Sequence, residues 1–147
     1  MRRFLTSVAV GTLALVLLSG LAHADSAVTV SDARLRLMPG DLPGAGYLTV
    51  HNGSDQAITL VGARCKAYKK VMMHMSMTKD GMSSMRPVPS VKIGPGEDFE
   101  FAPSGYHLML MHRSAPLKVG DTVTVTLELE GQDSLPVVFN VVSPAAM

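Results

Sequence analysis

The sequence contains no tryptophan, a single cysteine in 147 residues, and few aromatic (5%) or charged (17%) side chains. Each shortage excludes something. One cysteine makes neither an internal disulfide nor a zinc site built from cysteines alone. A formal net charge of +1 gives no basic field of the kind nucleic-acid binding requires. Hydrophobic residues, at 47%, are too many for a chain disordered throughout, and the length is too short for two ordinary domains. Catalytic signatures are missing as well: no Ser/His/Asp order, paired-carboxylate motif, His-Glu-x-x-His or phosphate loop is present, which argues against an enzyme. Asp41, Asp55, Asp80, Asp121 and Asp133 stand beside turn residues and read as turn formers. What the chain has in excess is methionine, eleven residues, several times what gap-filling in a core asks for.

Residues 1–24 read as a secretory signal peptide. Arg2 and Arg3 open it, an apolar run from Val8 to Leu18 follows, and Leu21-Ala22-His23-Ala24 supplies a small-x-small cleavage site before Asp25. Thr6, Ser7, Gly11, Thr12, Ser19 and Gly20 interrupt the uncharged stretch and argue against a lasting membrane anchor. No cysteine adjoins the cleavage site, so lipoprotein attachment is not indicated. Cleavage after Ala24 leaves a single domain, 25–147, with 123 residues, four His and ten Met. Export of this kind places the domain outside the cytoplasm. At that size about two-thirds of the unfolded surface is buried on folding, enough for one core without disulfides.

The remaining chain reads as all-β. Val28 and Val30 lead into the alternation Ala33-Arg34-Leu35-Arg36-Leu37, and Tyr47 to Val50 resumes it before Asn52-Gly53, which reads as a tight turn. Further short apolar or alternating runs cover Ile58 to Val61, Val71 to Met75, Val91 to Ile93, Phe99 to Phe101, His107 to Met111, Val123 to Leu129 and Pro136 to Val142. Glycine and proline divide nearly all of them. No stretch keeps a helical period for three turns, so the expected architecture is an antiparallel Greek-key β-sandwich or barrel.

Two segments then combine His with several Met: Val71-Met72-Met73-His74-Met75-Ser76-Met77 and Tyr106-His107-Leu108-Met109-Leu110-Met111-His112. On a strand, His107, Met109 and Met111 share one face and Leu108, Leu110 and His112 the other; Met72, His74 and Ser76 oppose Val71, Met73, Met75 and Met77. Methionine is an adaptable core filler and any one of these could be that alone. Their concentration beside histidine in two segments points instead to a soft metal, because thioethers mixed with imidazole favour Cu(I) over Zn(II), Mg(II) or Ca(II). His51 and His112 read as surface residues, and Cys65 as a buried apolar one.

The spacing His-x10-Met-x21-His-x-Met, carried by His74, Met85, His107 and Met109, resembles the copper motif of the periplasmic copper chaperone PCuAC family. Flanking segments agree. Gly105-Tyr106-His107-Leu108-Met109-Leu110 is similar to the family's Gly-x-His-x-Met-Leu, and Pro116-Leu117-Lys118-Val119-Gly120-Asp121 to the Pro-Leu-x-x-Gly-Asp that follows it. Asp80 to Val88 resembles the loop with the first Met ligand, and Ala45 to Asn52 an early strand. The likeness spans Ala27 to Val142. It departs from the family where Ala33-Arg34-Leu35-Arg36 stands in place of a frequent Trp, which touches no ligand but alters packing or a docking surface.

The resemblance implies a cupredoxin-like β-barrel binding one Cu(I) through His74, Met85, His107 and Met109. It implies delivery to a copper-accepting protein such as a cytochrome oxidase subunit or a Sco-type assembly protein. Three readings compete. Copper storage or detoxification would use the surplus Met72, Met73, Met75, Met77 and Met111. A blue-copper electron carrier needs a Cys thiolate near a late His, and Cys65 lies mid-chain without that context. A structural sandwich would use its methionines for packing alone.

Overall fold

Alternating side chains broken by glycine and proline leave the strand as the main regular element of this chain. A computed structural model describes residues 27–146; the segment read as a signal peptide lies outside them. Ten strands follow in order: β1 (Val28–Arg36), β2 (Gly44–Asn52), β3 (Ile58–Cys65), β4 (Tyr68–Lys79), β5 (Met82–Pro87), β6 (Val91–Ile93), β7 (Asp98–Phe101), β8 (Tyr106–Arg113), β9 (Thr122–Leu129) and β10 (Leu135–Val142). A single 3-10 turn covers Pro144–Ala146.

Seven strands close into a barrel in the order β1-β2-β8-β4-β3-β9-β10, with β10 returning to β1. Consecutive strands β2 and β3, and β8 and β9, are not neighbours, so their connections cross the barrel ends as a Greek key does. All pairings are antiparallel except β1 with β10, which run parallel over Arg34–Arg36 and Asn140–Val142. The expected antiparallel Greek-key barrel is the architecture found, with this one parallel seam. The seam joins the first and last strands, which no tight turn links and whose relative direction no local pattern reveals.

The core follows from the alternation. Leu35, Leu48, Leu60, Leu108, Leu110, Val125, Leu127 and Phe139 point inward and are essentially inaccessible. In β1 the buried parity changes from Val28 and Val30 to Ala33, Leu35 and Leu37. A bulge between Ser31 and Arg34, with Asp32 at φ 54°, supplies the extra residue that shifts it.

Two expectations need correcting. Asn52-Gly53 is not a hairpin turn, because β2 and β3 do not pair. Asn52 is instead fully buried; its side-chain amide donates to the carbonyls of Gln56, Ile93 and Gly94, and its Oδ1 accepts from Ser54. Second, residues 82–87 form a strand where a loop was expected. β5 pairs with β4 from His74↔Pro87 to Lys79↔Met82, and Asp80 and Gly81, both at positive φ, make the two-residue connection that type I′ hairpins use.

Candidate metal centre

The sheet β5-β4-β8 carries the four candidate ligands, and its register decides which way each points. Residues directly opposite one another on paired strands share a face. His74 is opposite His107, and Met72 is opposite Met109. Ser76, two residues along from His74, is opposite Met85. His74, Met85, His107 and Met109 therefore all leave the same, outward face, while Met73 and Leu108 between them are buried in the core. The hairpin that folds Met85 back along β4 brings it diagonally beside His74.

The two imidazoles meet edge to face, with ring centroids 5.9 Å apart and planes at 78°. Metal–nitrogen bonds of about 2.0 Å put each centroid about 3 Å from an ion, so two rings holding one ion can be no more than about 6 Å apart. The observed separation meets that limit. His107 is 5% exposed, and its Nδ1 lies 3.2 Å from the Gly105 carbonyl. A carbonyl oxygen only accepts, so Nδ1 carries the proton and Nε2 keeps its lone pair for a ligand. His74 Nδ1 is buried with no hydrogen-bond partner, an orphan of the kind that a metal satisfies.

Burial holds the His74 pKa below the ordinary imidazole value, reinforced by the charges of His107 and Lys70. A neutral ring is the ligating form. Among the described residues no three His, Cys, Asp or Glu side chains converge, so hard-ligand cages are not built here. A soft ion completed by thioethers fits the donor set; a dication seeking oxygen ligands does not.

Met85 and Met109, with His107, line a cleft of about 580 Å³ between the β4–β5 hairpin and the outer face of β2 and β8. Met85 is 58% exposed and Met82 75%, so the site opens at a soft, apolar rim. Met72, read from the sequence as surplus, lies directly across from Met109 on the ligand face; β4 alternation already put it with His74, but not beside Met109. Arg36 and Tyr47 also line the cleft; the sequence placed Tyr47 in the family-like strand and Arg36 in the segment that departs from the family, but put neither beside the ligands. His51 is remote, its Nδ1 2.6 Å from Asp98 Oδ1 at an exposed site. His112 is exposed at φ 57° and leaves the strand alternation. Cys65 is buried on β3.

The closed seven-stranded barrel is the cupredoxin-like fold of the PCuAC class of domain. The copper-bound PCuAC domain from PmoF2 shares the fold, with a TM-score of 0.67 at 21% identity over 80% of this chain and 94% of that one. The family described as "Putative lipoprotein LpqE-like" matches residues 28–141, and the chain belongs to this family, which is of PCuAC type. The structure of CuI-DR1885 from Deinococcus radiodurans is 34% identical, with a TM-score of 0.64, covering 84% of this chain and 83% of that one. "Putative lipoprotein Lxx21020" of Leifsonia xyli subsp. xyli (strain CTCB07) is 33% identical over 111 residues, 75% of this chain; the chain spans 66% of that relative's length.

Proposed function

We propose that the protein is a periplasmic copper chaperone. It holds one Cu(I) as cargo between His74, Met85, His107 and Met109 and passes it to a respiratory oxidase copper site or a Sco-type assembly factor. The observation that supports this reading is that the four side chains leave one sheet face, with the two imidazoles 5.9 Å apart and the His74 ring unpartnered at Nδ1 and held toward its neutral form. Kinship with a protein described in its Cu(I) form supports the choice of metal. Export by residues 1–24, with cleavage after Ala24, belongs to the same proposal; no helix among the described residues is long and apolar enough to cross a membrane.

The chemistry suits transfer. Four neutral donors leave the single charge of Cu(I) uncompensated and need no proton to let it go. Thioethers at an exposed rim can be replaced one at a time by stronger soft donors of an acceptor. His107, fixed through Nδ1, keeps the ion oriented meanwhile.

The test is a Cu(I) titration of the processed domain against a competing chelator. One tightly held ion per chain, lost on combined replacement of His107 and Met109, supports the assignment; no binding above a chelator-only control ends it. A second reading, storage, is favoured by the exposure of Met77 and Met82, and would show as more than one tightly held ion per chain.

A further inference from the structure

One outward-facing row of side chains crosses the sheet at the level of the site. Arg36 on β1 is opposite Ala45 on β2, Ala45 is opposite Met109 on β8, and Met109 is opposite Met72 on β4. Neighbouring strands lie about 4.8 Å apart, so the Arg36 backbone is about 10 Å from that of Met109, within reach of a long side chain.

The guanidinium carbon of Arg36 stands 5.6 Å from the centre of the Tyr47 ring. Stacking there satisfies none of its N–H groups, and its Nε is buried without a hydrogen-bond partner. Arg36 lines the same cleft as His107, Met85 and Met109, and among the described residues lining it no other carries a fixed charge. The remaining lining is uncharged, with Leu42 and Met85, both more than half exposed, set among serine and threonine hydroxyls. Arg34, the other arginine with an orphaned Nε, lines a separate cleft between β1 and β10.

A fixed positive charge has no part in holding a cation. It does attract an anion into an otherwise neutral cleft with low-dielectric walls. A planar guanidinium already braced on an aromatic ring is suited to a carboxylate. We infer that Arg36 is the electrostatic docking point for copper transfer, and that the acceptor is a protein bearing a carboxylate beside its copper-ligating loop. The inference rests on the copper-transfer reading. Transfer itself is ligand exchange without redox: each acceptor donor forms a bond to Cu(I) as a thioether or imidazole of this chain leaves, and the metal stays Cu(I).

Chelators of opposite character stand in for the acceptor. Stopped-flow transfer from the Cu(I)-loaded domain is followed to bicinchoninate, which carries carboxylates, and to neocuproine, which is neutral. Arg36→Gln slows transfer to bicinchoninate about three- to ten-fold, and added salt shrinks the difference. Transfer to neocuproine and the equilibrium Cu(I) affinity stay unchanged, and Arg36→Lys recovers most of the bicinchoninate rate. The inference is overturned if Arg36→Gln slows both chelators alike, slows neither, or weakens equilibrium binding, since each assigns Arg36 to packing, to nothing, or to the site itself. Failure of the underlying reading looks different: the wild-type domain takes up no Cu(I) before any variant is made.

Discussion

Met109 and Met77 are both methionines on neighbouring strands, yet their surroundings predict opposite responses to the same substitution. Met109 leaves the ligand face in register with Met72 and lines the cleft beside His107. Met77 also borders that cleft, but it leaves β4 on the other face, opposite Ser84, and is 38% exposed. Leucine keeps volume and apolarity while removing sulfur. Met109→Leu should therefore weaken Cu(I) binding with little loss of stability, His107→Ala should weaken it further, and Met77→Leu should leave the first equivalent unaffected. Chelator competition on the three variants reads this, and equal losses for Met109→Leu and Met77→Leu would refute the four-ligand set. A second residue-scale expectation concerns Cys65. Burial raises its thiol pKa, only partly offset by backbone hydrogen bonds from Ala67 and Tyr68, so the reactive thiolate is scarce below pH 9. A thiol reagent at pH 8 should label the folded domain far more slowly than the urea-unfolded chain. Comparable rates would show that Cys65 is accessible.

At the scale of elements, the β4–β5 hairpin is where stability and function separate. β5 is the terminal strand of the sheet, joined to β4 alone, and all six of its residues are exposed. It carries Met85 but almost none of the core, which places it among the least protected parts of the fold. The turn depends on Gly81 at φ +75°, where an added side chain meets no neighbour but is strained by the backbone itself. Gly81→Val should cost about 1–2 kcal/mol locally, speed amide exchange in β5, weaken Cu(I) binding and leave the melting temperature of the barrel almost unchanged. A drop in melting temperature equal to that of a core variant would mean the hairpin is integral to the barrel. The same hairpin marks what the sequence left unreadable. Most strands, β6 with its exact bounds among them, were legible because one face is buried and the alternation records it. Met82-Ser83-Ser84-Met85-Arg86-Pro87 buries neither face, so no pattern survives, and only pairing to β4 makes it a strand. Likewise β4 and β8 alternation set the faces of His74, His107 and Met109. That His74 stands opposite His107 is a long-range register, 33 positions apart in sequence, that no local pattern encodes.

Over the whole molecule, the site and the barrel are linked through the proton equilibrium of His74. Its pKa lies below the ordinary value because burial disfavours the imidazolium, and the charges of His107 and Lys70 push the same way. In the unfolded chain the ring returns to an ordinary value near 6.5. As pH falls below that, the unfolded state takes up the proton first, so folding stability declines. His74's share is fully present above pH 6.5 and is lost as pH falls through the lowered folded value. Replacing His74 by Asn removes the titration and keeps a polar group of similar size. Urea unfolding of the metal-free domain at pH 7.5 and pH 5.0 should therefore show a larger loss for wild type than for His74→Asn. Equal losses would move the pH dependence to other groups. Copper should widen the contrast, because an ion that binds the folded state with His74 neutral adds stability by mass action. Saturating Cu(I) should raise the wild-type midpoint more at pH 7.5 than at pH 5.0. In His107→Ala the rise should shrink at both, since the ion would lose one of its two imidazoles whatever the state of the other.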